Sequence, residues 1–168
     1  RLFVAEPYLV RQTSMTPTFQ NNDYLIVEKL GYYLKPPERG DIVVFRSPIE
    51  SGRTLIKRIV GLPGETIEID GERTFVKKEN TNIELFESYV KFTTPNFSGI
   101  YTLKADQYFM MGDNRAGSYD SRSWGPIKKK DIVGRPIVRL FHFNTAQFWP
   151  GKEMLGSNYP KVSPADQE

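Results

Sequence analysis

Short apolar runs rich in Val, Ile, Tyr and Phe recur along the chain, with turn residues between them. They are DYLIVEKL (23–30), DIVVFR (41–46), TLIKRIVG (54–61), ETIEID (65–70), ESYVKF (87–92), GIYTL (99–103), QYFMMG (107–112) and DIVGRPIVRLFHF (131–143). KPPERGD, GLPGE, DGE and TTPN carry the Gly, Pro, Asp and Asn of tight turns. No long segment holds a 3.6-residue apolar period, and there is no internal repeat or low-complexity tract. The pattern predicts a mostly β fold, built as antiparallel sheets or a partly open barrel. The stretch 72–106 is more polar, with KKENTN at 77–82. It reads as a small β cap lobe inserted between core strands. Residues 1–71 and 107–150 then form the core, and 151–168 a poorly ordered tail.

Length and composition narrow the class. The chain has 168 residues, enough for one core or for a core with a smaller lobe. Its charged fraction of 26% and aromatic fraction of 13% belong to a globular chain, not a disordered one. The net charge of +3 fits a solvated surface first, and is compatible with an anionic membrane surface or nucleic acid. Cysteine is absent, which excludes disulfides, thiolate catalysis and zinc–thiolate sites. No run of eighteen apolar residues occurs, so no segment reads as a transmembrane helix. The first residues, RLFVAEPYLV, read as a start inside a longer polypeptide, with a tag, a signal peptide or a membrane anchor ahead of them.

Three polar islands carry candidate chemistry. The first is RQTSMTPTF (11–19), whose Ser14 has no histidine nearby. The one histidine, His142, lies in a strand-like, aromatic-flanked segment and reads as structural or surface, so a Ser-His-Asp triad does not suit this chain. A lysine can activate a serine instead, but only when neutral. At its ordinary pKa roughly one lysine in two thousand is neutral at pH 7. A base lysine therefore belongs in an apolar strand, where burial lowers its pKa by about 2–4.

The second island, LIKRIVGLPGE (55–65), supplies such a lysine in Lys57. In a strand Leu55, Lys57 and Ile59 share one face, and Ile56, Arg58 and Val60 the other. By periodicity alone the segment is also an edge strand with alternating charges. The third island, MGDNRAGSYDSRSWG (111–125), packs Asp113, Asn114, Arg115, Ser118, Asp120, Ser121 and Arg122 into ten residues. It offers acid–arginine pairs and a serine able to hold an amine. Taken alone, it is also an ordered loop with surface ion pairs.

Together and in order, the islands resemble the type I signal peptidase family. SMTPTF (14–19) is similar to its Ser-Met-x-Pro-Thr nucleophile motif, and RGDIVVFR (39–46) to its Gly-Asp-hydrophobic strand. IKRIVGLPGE (56–65) is similar to its lysine motif, and GDNRAGSYDSRSWG (112–125) to its C-terminal motif. The resemblance covers roughly residues 1 to 141, with 72–106 in the variable region.

The resemblance implies Ser14 as nucleophile and Lys57 as general base, with Ser118 holding the lysine amine. It implies Asp120 and Arg122 as a supporting ion pair, with Asp113 and Arg58 close to that network. Met15 and Pro17 would shape the turn that presents Ser14. The implied reaction is signal-peptide removal from exported preproteins, through an acyl-enzyme, by cleavage after a small residue in an Ala-x-Ala site. The Ser14 N–H is the expected first oxyanion donor. Many members carry a small hydroxyl residue two positions before the nucleophile; this chain has Gln12, whose amide is a candidate second donor.

Candidates for the substrate pockets are Tyr8, Val10, Met15, Phe19, Leu55 and Ile56, each of which also suits ordinary core packing. The implied location is the extracytoplasmic face of the cytoplasmic membrane, with a transmembrane anchor ahead of Arg1. Phe3, Tyr8, Tyr32 and Tyr33 would then rest on the bilayer or belong to the core. No metal, organic cofactor or nucleic-acid partner is expected. Three rivals stand beside this reading. They are a self-cleaving repressor type of Ser-Lys peptidase, a nucleic-acid-binding β-barrel without activity, and a catalytically silent relative kept in play by Gln12.

Overall fold

A computed structural model describes residues 4–141 and 145–152. Phe3, His142 and residues 153–168 of the expected tail lie outside them. The strands are β1 (Ala5–Leu9), β2 (Tyr24–Glu28), β3 (Ile42–Arg46), β4 (Thr54–Gly61), β5 (Thr66–Asp70) and β6 (Arg73–Lys78). They continue with β7 (Thr81–Glu84), β8 (Ser98–Thr102), β9 (Gln107–Met111), β10 (Ile127–Lys128), β11 (Ile132–Phe141) and β12 (Thr145–Phe148). Two four-residue helices, α1 (Gly31–Leu34) and α2 (Ser121–Trp124), interrupt them. No helix among the described residues is long and apolar enough to cross a membrane.

Eight strands form one curled antiparallel sheet in the order β1-β2-β11-β3-β4-β9-β10, with β12 also on β11. The remaining four form a second sheet, β7-β6-β5-β8. The mostly β reading therefore holds, with a half-barrel main sheet. β3 is a continuous apolar run because it is central and covered on both faces. Ile42 and Val44 enter the cluster with Met15, Phe19 and Leu25, while Val43 and Phe45 enter the one with Ile59 and Met110. A third cluster, with Val60, Ile67, Val76 and Phe109, lies between the two sheets. β5 shows the contrasting one-sided pattern, burying Ile67 and Ile69 and leaving Asp70 exposed.

The ladders of the main sheet slip at three places. Register shifts occur in β11 at Ile132/Gly134 and Pro136/Val138, and in β4 at Ile59/Gly61. Proline has no N–H for a ladder and suits such a position. A side chain at Gly134 would run into the Glu28 carbonyl oxygen, so close strand approach there requires glycine.

Several expectations need correction. ESYVKF (87–92) is not a strand but an irregular segment with Tyr89 buried in it. Its backbone turns, with Val90 N–H on Glu87 O at 3.0 Å, and its end meets the rest of the fold through a single bridge between Phe92 and Asn114, so no ladder forms. The opening residues contain β1, antiparallel to β2, a strand absent from the apolar runs read along the sequence. β5, counted among the core strands, pairs with β6 and β8 in the second sheet. The polar KKENTN stretch spans the β6–β7 hairpin. Gly151, expected in the loose tail, is buried against Ile42 and Thr18. Of the expected interface aromatics, Tyr33 is exposed, while Tyr32 is half-buried and donates to Asp41.

Candidate active site

Ser14 sits in the turn that follows β1. The turn is closed by Thr16 N–H to Thr13 O at 3.1 Å and Phe19 N–H to Met15 O at 2.9 Å, and the Thr16–Pro17 peptide is cis. Met15 and Phe19 anchor it from below, both fully buried. Their apolar side chains drive the turn onto the sheet and leave Ser14 facing β4.

Lys57 comes from β4, 43 residues away, and donates from Nζ to Ser14 Oγ at 2.7 Å. A second donor contact reaches Ile56 O at 3.2 Å. The lysine is only 1% exposed. Burial pushes its pKa down from 10.5 to about 8, against the pull of the Asp120 and Asp113 carboxylates. The Arg122 and Arg53 guanidiniums push it lower still. Ser14 and Lys57 thus meet in a site that favours a neutral amine. The Ser14 N–H has no acceptor among the described residues.

The third island wraps this pair. Asn114 N–H donates to Ser14 O at 3.0 Å, and Asn114 Nδ2 to Thr13 O at 3.2 Å. Gly112 lies against the same carbonyl, where any side chain would run into Ser14 O and Ser118. Its N–H donates to Asp120 Oδ2 at 3.0 Å. Asp120 also caps α2 through the Arg122 N–H and accepts from Arg122 Nε and Nη2, both at 2.8 Å. Asp113 accepts from Arg58 Nε and Nη2 at 2.8 and 2.7 Å, with both side chains fully buried. Thr18 Oγ1 adds a third donor to Asp113, at 2.5 Å.

The sequence-derived residues divide clearly. Ser14, Lys57, Arg58, Asp113, Asp120 and Arg122 meet in one network. Ser118 packs beside Gly112, but its buried Oγ has no hydrogen-bond partner among the described residues. The expected Ser118 bond to Lys57 is therefore not formed, because the amine's contacts go to Ser14 and Ile56.

Tyr8, Val10, Leu55 and Ile56 line a cleft of about 330 Å³, together with exposed Gln12 and the buried Leu25 and Val44. Met15 and Phe19 are not among its walls; core packing takes them. Reading the sequence missed Asn114 and Gly112 as holders of Ser14, Thr18 as partner of Asp113, and Glu87. Asn114 stood inside a noted motif, but nothing local pairs Thr18 with a carboxylate 95 residues away. Arg39 and Glu65 were missed likewise; this buried pair, 2.9 and 2.5 Å, joins the ends of two motifs.

Comparison with known proteins gives the family. Residues 1–141 match the family described as signal peptidase, peptidase S26. Signal peptidase I of Leptolyngbya laminosa is 40% identical over 159 residues, covering 89% of this chain and 71% of that protein. Signal peptidase I V of Bacillus subtilis is 38% identical over 138 residues, 76% of this chain and 80% of that one. A crystal structure of a signal peptidase I from Enterococcus faecalis superposes with a TM-score of 0.51 at 30% identity. That match covers 60% of this chain and 97% of the other. The chain belongs to the S26 signal peptidase family and is a hydrolase of peptide bonds.

Proposed function

We propose that this protein is a serine endopeptidase that removes N-terminal signal peptides from exported preproteins, with Ser14 as nucleophile and Lys57 as general base. The observation that carries the reading is the 2.7 Å contact between Lys57 Nζ and Ser14 Oγ in a buried site. With a pKa of about 8, roughly one amine in ten is neutral at pH 7, against about one in two thousand for an ordinary lysine. That neutral amine accepts the Ser14 proton as Oγ attacks the scissile carbonyl carbon. The oxyanion takes the free Ser14 N–H as its first donor, and the Gln12 amide is the candidate for a second. Lys57 then returns the proton to the departing amine, leaving an acyl ester on Ser14. It next takes a proton from the water that attacks the ester carbonyl and passes it to Ser14 Oγ as the ester bond breaks, which frees the signal peptide's new carboxylate and restores the serine.

The apolar cleft beside Gln12 and Ile56 suits an extended peptide with small residues before the cut, as in Ala-x-Ala. The catalytic domain works at a membrane, on its extracytoplasmic side. A relative of 30% identity in Arabidopsis thaliana is named a thylakoidal processing peptidase, and α1 offers Tyr33 and Leu34 at 86% and 91% exposure. The test is cleavage of a fluorogenic Ala-x-Ala peptide in detergent from about pH 6 to about pH 10. Wild type should cleave after the second Ala, with kcat/KM rising through about 8, the value set by Lys57. Ser14→Ala and Lys57→Met should each lose at least about 10³-fold. Retained cleavage by Ser14→Ala would sink the reading.

A further inference from the structure

The segment between β7 and β8 grips the loop that carries Gly112, Asn114 and Arg122 at three separated points. Glu87 accepts from Arg115 Nη1 at 2.8 Å and from Nη2 at 2.5 Å. Phe92 O accepts from Ala116 N–H at 3.3 Å, beside a backbone bridge between Phe92 and Asn114. Thr94 Oγ1 accepts from Arg122 Nη1 at 3.1 Å. The first contact is the strongest and the most buried, its two side chains being 7% and 6% exposed. Two hydroxyls complete the Glu87 carboxylate, Tyr89 at 2.6 Å and Thr74 at 2.9 Å. Four donors thus fix the carboxylate, and the carboxylate fixes the guanidinium.

Arg115 passes that order on. Its Nε donates to Gly112 O at 3.1 Å, and Gly112 lies against the Ser14 carbonyl. The residue preceding Arg115 is Asn114, whose N–H and Nδ2 hold Ser14 O and Thr13 O. Ser14 therefore has one side set by β4, through Lys57, and its backbone set by the 112–115 loop.

We infer that Glu87, in the polar inserted segment, is a positioning residue for Ser14, acting through Arg115 and the Gly112–Asn114 backbone. The insert is then part of the catalytic scaffold and not only a cap. The inference rests on the Ser14 reading above. A nucleophile displaced by about 1 Å loses on the order of 10²-fold in rate, so a loosened loop acts on the chemical step.

The experiment compares wild type, Ser14→Ala, Glu87→Gln, Asn114→Ala and the Glu87→Gln/Asn114→Ala double variant on the Ala-x-Ala peptide, with thermal melts as a check of folding. Glu87→Gln and Asn114→Ala should each lower kcat about tenfold or more, with KM within about twofold. The double variant should lose no more than the worse single one, because both act through the same Ser14 contacts. If Glu87→Gln does not fold, Glu87→Asp takes its place, keeping the charge on Arg115 while shifting its position. Unchanged kcat in the folded Glu87 variant, or multiplying losses in the double one, would overturn the inference while Ser14→Ala stays inactive. Cleavage by Ser14→Ala would overturn the reading of the site, and this inference with it.

Discussion

Lys57 and Arg58 are adjacent in one strand, both cationic types and both buried, at 1% and 0% exposure. Their surroundings are opposite. Arg58 is met by a two-pronged carboxylate from Asp113, by the Gly40 carbonyl at 2.9 Å and by the Tyr89 ring 4.0 Å from its centre. Lys57 is met by a hydroxyl and a peptide carbonyl, and its nearest carboxylates act only through space. A guanidinium does not give up its proton at any ordinary pH, so its burial demands a fixed counter-charge. An ammonium can relax by losing a proton, so burial without a counter-charge makes a base. The same strand thus supplies a permanent structural cation and, one residue away, a proton acceptor.

The contrast can be broken most severely at Arg58. Asp113→Ala strands a buried guanidinium and removes the Thr18 acceptor. It should cost about 3–5 kcal/mol in urea-melt stability. A cost below about 1 kcal/mol would mean that water or another group neutralises Arg58.

Lys57 should behave in the opposite sense. Its folded pKa of about 8 lies below its ordinary 10.5. Between those values the unfolded chain binds the extra proton, so stability rises with pH across that window. Below the window the charged amine is buried at full cost, roughly 3 kcal/mol. Lys57→Met should therefore be the more stable protein near neutral pH by up to about that amount, while being inactive. The gap should close toward the upper end of the window in melts taken at several pH values. A gap independent of pH would show that burial of the charge is not its origin.

The smallest expected effect lies at Gln12. It is exposed and has no hydrogen-bond partner among the described residues. Gln12→Ala should lower kcat by about tenfold or less, short of the 10²–10³ of a preorganised oxyanion donor. A larger loss would show that substrate binding orders the side chain.

Much of the frame was legible without coordinates. Runs such as DIVVFR and QYFMMG announce strands through local composition, because a β-branched or aromatic residue carries its preference with it. RQTSMTPTF, LIKRIVGLPGE and GDNRAGSYDSR held the residues that meet, since each island keeps its own chemistry within a few positions. ESYVKF misled because its composition favours a strand while its backbone turns at Val90 and meets the fold through one bridge at Phe92. Glu87 had nothing in its own neighbourhood to mark it, because its partner Arg115 lies 28 residues on.

The sequence by itself determined the strand-rich character of the chain, the candidate serine and lysine, and the acids and arginines around them. Only the tertiary structure decided which buried cation stays charged, which serine touches the lysine, and that Met15 and Phe19 support the turn from beneath instead of lining the cleft. Those outcomes depend on burial and on contacts spanning tens of residues, 43 for Ser14 and Lys57 and 55 for Arg58 and Asp113. Desolvation and ion pairing arise only when distant segments exclude water together, so no local pattern encodes them.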